Sequence, residues 1–201
     1  MTERQRTHPA LVLASQSAAR GAVLRAAGLA FEQRPARIDE TAIKASMQGA
    51  GADECALMLA GLKAGRISAP GALVIGADQL LVCEDSWFDK PSDMAAARAQ
   101  LLALRSRTHT LVTAVVCHRD GAEAWRHVAR PTLRMRPFSE AFLDAYLAAE
   151  GEAVLSSVGA YRIEAMGIQL FDRVDGEHAA ILGLPLLALL GFLRQHGALT
   201  A

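Results

Sequence analysis

Asp78 stands in the stretch Val74-Ile-Gly-Ala-Asp-Gln-Leu-Leu-Val-Cys83, with apolar or small residues from Leu73 to Gly76 before it and Leu80, Leu81 and Val82 after it. An ionised carboxylate is rarely buried without a partner, because desolvation disfavours its charged form. Lys90 returns beyond the short turn of Glu84-Asp-Ser-Trp-Phe-Asp-Lys-Pro91 to supply one. The pattern suits an acid held for chemistry. It also suits a hairpin whose aspartate satisfies a turn or a neighbouring arginine.

A second constellation lies near the start. Ala10-Leu-Val-Leu13 reads as a short buried strand, Ala14-Ser-Gln-Ser17 interrupts it, and an Ala/Leu/Arg-rich helix follows over residues 18–27 with Gly28 at its end. The junction offers the hydroxyls of Ser15 and Ser17, free backbone N–H groups and a positive dipole end, with Arg20 in the first turn. A cation there opposes the helix dipole by some tenths of a kcal/mol, which a bound anion would offset. An ordinary Ser17 N-cap beside a solvated Arg20 fits the same residues. Ile38-Asp39-Glu40-Thr41 sets two carboxylates in a polar turn, an arrangement open to a divalent cation or to solvent. Lys63 falls near the C-terminal part of a helix over residues 52–67, where the dipole alone would accommodate it.

The elements that must position these groups alternate between strand and helix. A strand is expected over 31–37, and the helix over 52–67 turns Leu57, Leu59, Ala60 and Leu62 toward a core before the turn at 68–71. Ser92 is placed to cap a helix over 93–104. Residues 108–117 are β-rich, and Asp120-Gly121 turns the chain into 122–135 to make a long hairpin. Trp125, Val128, Leu133 and Met135 read as packing residues, and His109, His118 and His127 lack metal-ligand spacing. A helix over 139–149 stops at Gly151, the glycine-bearing passage Ser156-Ser-Val-Gly-Ala-Tyr-Arg-Ile-Glu164 follows, and 167–171 reads as a strand. An apolar helix with Pro185 in its first turn runs to about residue 196.

The 201 residues fit one α/β domain over 10–201 behind a flexible tail over 1–9. With 21 basic and 21 acidic side chains, no global field recruits nucleic acid or a membrane surface. The apolar run after the tail is too short for a signal-peptide core, and the run over 181–193 contains Pro185 and falls short of the ~20 residues a spanning helix needs. Cys55, Cys83 and Cys117 are far apart and read as reduced core thiols, so a soluble, cytoplasmic protein is expected.

Taken together, Leu13-Ala-Ser-Gln-Ser-Ala-Ala-Arg20, Asp39-Glu40, Leu59-Ala-Gly-Leu-Lys-Ala64, Ile75-Gly-Ala-Asp-Gln79, Asp89-Lys-Pro91, Ser157-Val-Gly-Ala-Tyr161 and Gly183-Leu-Pro185 follow the order and spacing of the Maf family. The resemblance covers residues 11–197. It implies an α/β fold similar to the inosine triphosphate pyrophosphatases: a long mixed sheet, flanking helices and a cleft between two lobes. It also implies hydrolysis of a nucleoside triphosphate between the α and β phosphates, with a divalent cation, Mg2+ or Mn2+, as cofactor. Relatives commonly form homodimers, and the family is associated with septum formation.

On this resemblance Asp78 aligns with the family's catalytic acid and serves as general base, with Glu40 as the second carboxylate of the metal site. Ser15, Ser17, Arg20, Lys63 and Lys90 supply dispersed positive charge and hydrogen bonds to the triphosphate. Gln79 and Glu164 match the branch that prefers 7-methylguanosine triphosphate. An amide and a carboxylate can meet the donor edge of guanine, and Glu164 also favours a cationic methylated base. Ala18, Ala19, Ala165 and Glu177 depart from the usual family residues. The truncated Ala18-Ala19 wall leaves open a nucleotide-sensing protein that regulates cell division without turnover, and a phosphatase acting on the terminal phosphate is the third possibility.

Overall fold

The computed structural model describes residues 9–47 and 49–200. Residues 1–8 of the expected tail lie outside the described residues, and Pro9 is buried. In chain order the elements are β1 (Leu11–Leu13), α1 (Ala18–Ala26), β2 (Glu32–Gln33), α2 (Glu40–Ser46), α3 (Ala52–Gly65), β3 (Leu73–Cys83), β4 (Ser86–Phe88), α4 (Met94–Leu104), β5 (Thr108–Arg119), β6 (Ala122–Ala129), β7 (Thr132–Met135), α5 (Glu140–Glu150), β8 (Phe171–Asp175), α6 (His178–Ile181) and α7 (Leu186–Gln195). The mixed sheet has the order β2-β1-β3-β5-β7-β8, with β4 paired to β3 and β6 to β5. β1 pairs in parallel with β2 and with β3, whereas β3 with β4, β5 with β6, β5 with β7 and β7 with β8 pair antiparallel. This is the mixed α/β sheet flanked by helices expected from the sequence.

The chain divides into two compact units, and β3 and β5 contribute residues to both. The first comprises the chain up to Asp78, Thr113–Ala129 and the chain from Glu177 onward; the second comprises Gln79–Val112 and Arg130–Gly176. In the first unit the period of two along each strand sorts the core. Leu11, Leu13, Leu73 and Ile75 join Leu24 of α1 and Leu189, Phe192 and Leu193 of α7 in one cluster. Val12, Ala14 and Val74, on the opposite face, join Ala64 of α3. Asp78 has the parity of Val74 and Gly76, so its side chain belongs to the α3 face.

In the second unit, Tyr146 of α5 is fully buried and holds the passage after it. Its hydroxyl donates to the carbonyl of Ala160 at 3.3 Å and accepts from the Arg162 N–H at 3.3 Å. His109 on β5, 1% exposed, meets the Tyr161 hydroxyl through Nε2 at 2.9 Å and lies against Phe171. Burial lowers its pKa to about 4. Because the folded value lies below the ordinary histidine value of about 6.5, the unfolded chain binds this proton more readily. Stability is therefore fully present above about pH 6.5 and is lost as the pH falls toward 4, by about 3 kcal/mol between pH 7 and pH 4. Urea titrations at both pH values should show this loss, and His109→Gln should reduce it; an equal loss in both proteins would rule out His109 as its source.

Several expected boundaries move for identifiable reasons. The strand expected over 31–37 is confined to Glu32–Gln33, because Pro35 has no N–H for a ladder. The polar turn at Asp39-Glu40 is instead a helix start: Asp39 caps α2 by accepting from the Ala42 N–H at 3.0 Å. Asp93, rather than Ser92, caps α4 by accepting from the Ala96 N–H at 2.8 Å. The Asp120-Gly121 hairpin forms with φ of 51° and 84°, the left-handed pair its turn demands, but Pro131 splits the returning strand into β6 and β7. The strand expected over 167–171 is a 3-10 turn over Met166–Leu170, and β8 starts only at Phe171. A side chain at Gly167 would stand 2.4 Å from the Arg162 carbonyl oxygen, so the chain folds back there where an extended strand was expected. Among the described residues, no helix is long and apolar enough to cross a membrane.

Candidate active site

The parallel pairing of β1 with β3 sets the carboxyl end of β1 beside the first half of β3. Leu13 lies opposite Ile75, and the Ala14 N–H donates to the Ile75 carbonyl at 2.8 Å. The chain then leaves β1 at Ser15, close to the point where β3 reaches Asp78. Openings beyond the carboxyl ends of parallel strands are the usual ligand position in α/β sheets.

Ser15, Ser17 and Arg20 form one hydrogen-bonded group. Ser17 caps α1 by accepting from the Arg20 N–H at 3.3 Å, and the Ser17 N–H donates to Ser15 Oγ at 3.1 Å. Arg20 Nη1 donates to Ser15 Oγ at 3.4 Å, while Nε donates to the Gly183 carbonyl at 2.8 Å. Burial holds the Arg20 guanidinium below the usual arginine value, opposed by the upward pull of the Asp78 and Glu40 carboxylates. That pull links the arginine electrostatically to the second group of the site.

The second group is Lys63 with Asp78 and Glu40. Lys63 and Asp78 are 6% and 4% exposed, and Nζ donates to Asp78 Oδ1 at 2.5 Å. The same Nζ lies 2.7 Å from Glu40 Oε1 on the first residue of α2. Close packing brings them together. A Cβ at Gly76 would stand 2.1 Å from the Ala60 carbonyl oxygen and 2.7 Å from the Ala64 nitrogen, so α3 rests directly on the β3 backbone two residues before Asp78. Lys63 lies between those two alanines in sequence and reaches the next site on the same strand face.

Asp78 Oδ2 is buried and has no hydrogen-bond partner among the described residues. A buried carboxylate oxygen left unpaired is costly, so this atom is suited to an incoming donor or cation. No cluster of three or more His, Cys, Asp or Glu side chains that could hold a metal exists among the described residues. Asp78 with Glu40 is nonetheless a suitable donor set for a hard cation that keeps waters and substrate oxygens as its remaining ligands.

The other sequence-predicted residues belong to the second unit. Gln79 follows Asp78 on β3 and is half-buried; Lys90 is exposed in the loop after β4; Glu164 is exposed between Tyr161 and the 3-10 turn. Sequence reasoning missed Gln33, whose Nε2 donates to the carbonyls of Ser15 at 2.9 Å and Ser17 at 3.3 Å, fixing the loop that presents both hydroxyls. It also missed the job of Gly183, whose carbonyl anchors Arg20; the Gly183-Leu-Pro185 motif was visible, but not its target. Glu177 accepts from the Leu187 N–H at 2.8 Å and so serves the start of α7.

Comparison with known proteins points to one family along nearly the whole chain. The family model described as Maf-like protein matches residues 10–196. A protein of Granulibacter bethesdensis named nucleoside triphosphate pyrophosphatase is 58% identical over 194 residues, covering 94% of this chain and 98% of its own. One with the same name from Paramagnetospirillum magneticum is 55% identical over 192 residues, covering 94% and 99%. A Rhizobium etli protein named 7-methyl-GTP pyrophosphatase is 48% identical over 195 residues, covering 95% and 98%. With the family model spanning nearly all of it and such relatives at full length, this chain belongs to the Maf family.

Proposed function

We propose that this protein is a metal-dependent nucleoside triphosphate pyrophosphatase that hydrolyses the α–β phosphoanhydride, releasing a nucleoside monophosphate and pyrophosphate. The observation that carries the reading is the buried Asp78, held by Lys63 through one oxygen and left with its other oxygen unpaired, beside the serine-lined start of α1. The names of the relatives support the reaction class. A single family model running through residues 10–196 supports one Maf-like domain over 10–201, and three buried free thiols agree with a reducing cytoplasm.

In this reading Ser15, Ser17 and the first N–H groups of α1 donate to the phosphate oxygens, and Arg20, Lys63 and Lys90 balance their charge. Asp78 and Glu40 would hold a Mg2+ or Mn2+ ion, which when bound polarises the phosphoryl group. Asp78 Oδ2 orients a water and takes its proton as the water oxygen bonds to phosphorus. The bond to the bridging oxygen breaks, and pyrophosphate leaves with that oxygen. Lys63 aims Asp78 by donating to its Oδ1, which leaves Oδ2 turned toward the water.

Gln79 and Glu164 select the base in this reading, with 7-methylguanine preferred over uncharged bases; the name of the Rhizobium etli relative supports this choice. A product-resolved screen of 7-methylguanosine, thymidine, uridine and inosine triphosphates with Mg2+ or Mn2+ tests both parts. Pyrophosphate release, fastest from 7-methyl-GTP, is expected. Release of orthophosphate would replace the reading with a terminal phosphatase, and tight binding without turnover would replace it with a nucleotide sensor.

A further inference from the structure

Glu164 does not stand alone. Its Oε1 accepts from Arg162 Nε at 3.3 Å, and Arg162 Nη1 in turn donates to Glu150 Oε2 at 3.0 Å. The side chains become more buried along this chain: Glu164 is 39% exposed, Arg162 33% and Glu150 only 6%. Glu150, the last residue of α5, uses its other oxygen to accept from the Met166 N–H at 2.9 Å. Both oxygens of the buried acid are thus engaged, and it grips the chain on either side of Glu164.

The charges matter as much as the geometry. Arg162 beside Glu164 alone would make a neutral pair with little attraction for a cation. The buried Glu150 supplies a second carboxylate, so the three groups carry one net negative charge, with its solvent-facing end at Glu164. Tyr146 fixes the same segment by accepting from the Arg162 N–H.

We propose that Glu150 is a specificity-determining positioning residue: it neutralises Arg162 so that Glu164 presents an uncompensated negative charge to a cationic purine base. This rests on the base-reading role of Glu164 proposed above. The hydrogen bonds of Glu150 and Arg162 run to each other and to Tyr146, Glu164 and Met166, outside the group assigned above to the phosphates, so the common chemistry of all substrates should be left intact.

The test compares kcat/KM for 7-methyl-GTP with that for GTP at mildly acidic pH, where the methylated base keeps its positive charge. Glu150→Gln keeps an acceptor for one of Arg162 and Met166, turns an amide donor toward the other and brings the group to neutrality; it should lower the 7-methyl-GTP to GTP ratio roughly tenfold. Arg162→Gln makes the group more negative and should hold or raise the ratio. The opposite signs separate electrostatics from simple damage to the loop, which would lower the ratio in both variants and overturn the proposal. An unchanged ratio in Glu150→Gln alongside a lost one in Glu164→Gln would also overturn it, while sparing the reading of Glu164. An unchanged ratio in Glu164→Gln itself would instead refute the base-reading role on which the proposal rests. Should Glu150→Gln fail to fold, the Arg162→Gln ratio decides: a fall overturns the proposal.

Discussion

Asp78→Asn is expected to lower kcat for triphosphate hydrolysis by about three orders of magnitude, while the affinity for the nucleotide changes far less. Asparagine is nearly isosteric, and its carbonyl can still accept from Lys63, but it cannot take a proton from water. Lys63 retains Glu40 at 2.7 Å, so its ammonium is not stranded and the fold should survive with a cost of about 1–2 kcal/mol. Asp78→Ala is a different experiment. Unlike asparagine, alanine leaves no acceptor at this position for a lysine that is itself 6% exposed, and should cost about 3 kcal/mol of stability in addition to activity. Quench-flow product analysis together with urea unfolding separates the two effects. Full activity in a folded Asp78→Asn protein would exclude Asp78 as the proton acceptor.

The residues around Asp78 were legible because they obey local rules. A serine ahead of an amphipathic run announces a cap, and Ser17 caps α1; Asp-Gly between two β-rich runs announces a tight hairpin, and Asp120-Gly121 makes one. An acid within an apolar strand announces a buried charge, and Asp78 is buried. The partner of that acid was less accessible. Lys90 follows in the next turn of sequence and is the nearer candidate, yet Lys63, fifteen residues earlier on α3, bonds Asp78. Its position near a helix C-terminus gave it a sufficient local explanation, and only the packing of α3 on Gly76 reveals the other one.

What stayed hidden depends on contacts made across long stretches of chain. Nothing around Gln33 marks it as the clamp on Ser15 and Ser17, because its strand is two residues long and its targets are backbone carbonyls. The run Gly167-Ile-Gln-Leu-Phe171 has strand composition, but Glu150 and Tyr146 bind the chain on either side of Glu164 into turns. Propensity is a weak prior when side chains elsewhere satisfy the backbone. The Asp39-Glu40 pair has the composition of a polar turn because both acids favour solvent, whereas one caps α2 and the other opens it beside Lys63.

Gly76→Ala carries the largest expected effect on stability. The new methyl carbon would lie 2.1 Å from the Ala60 carbonyl oxygen, 2.7 Å from the Ala64 nitrogen and 3.1 Å from the Ala64 Cβ. Two of these neighbours are backbone atoms of α3, so no side-chain rotation relieves the overlap. The helix must move away from the sheet, at a cost of about 3 kcal/mol or more. Since Lys63 moves with it, its pairing with Asp78 should loosen, and a shift of about 1 Å at such a contact is enough to lower turnover about a hundredfold. Gly61→Ala on the same helix provides the control: nothing lies within 4 Å of its added carbon. Relief of the glycine penalty in a helix interior should stabilise that variant by about 1 kcal/mol. Opposite shifts in the urea midpoint, with turnover lost only in Gly76→Ala, would locate the effect in the contact between α3 and β3. A destabilised Gly61→Ala would show instead that the helix tolerates no added methyl group.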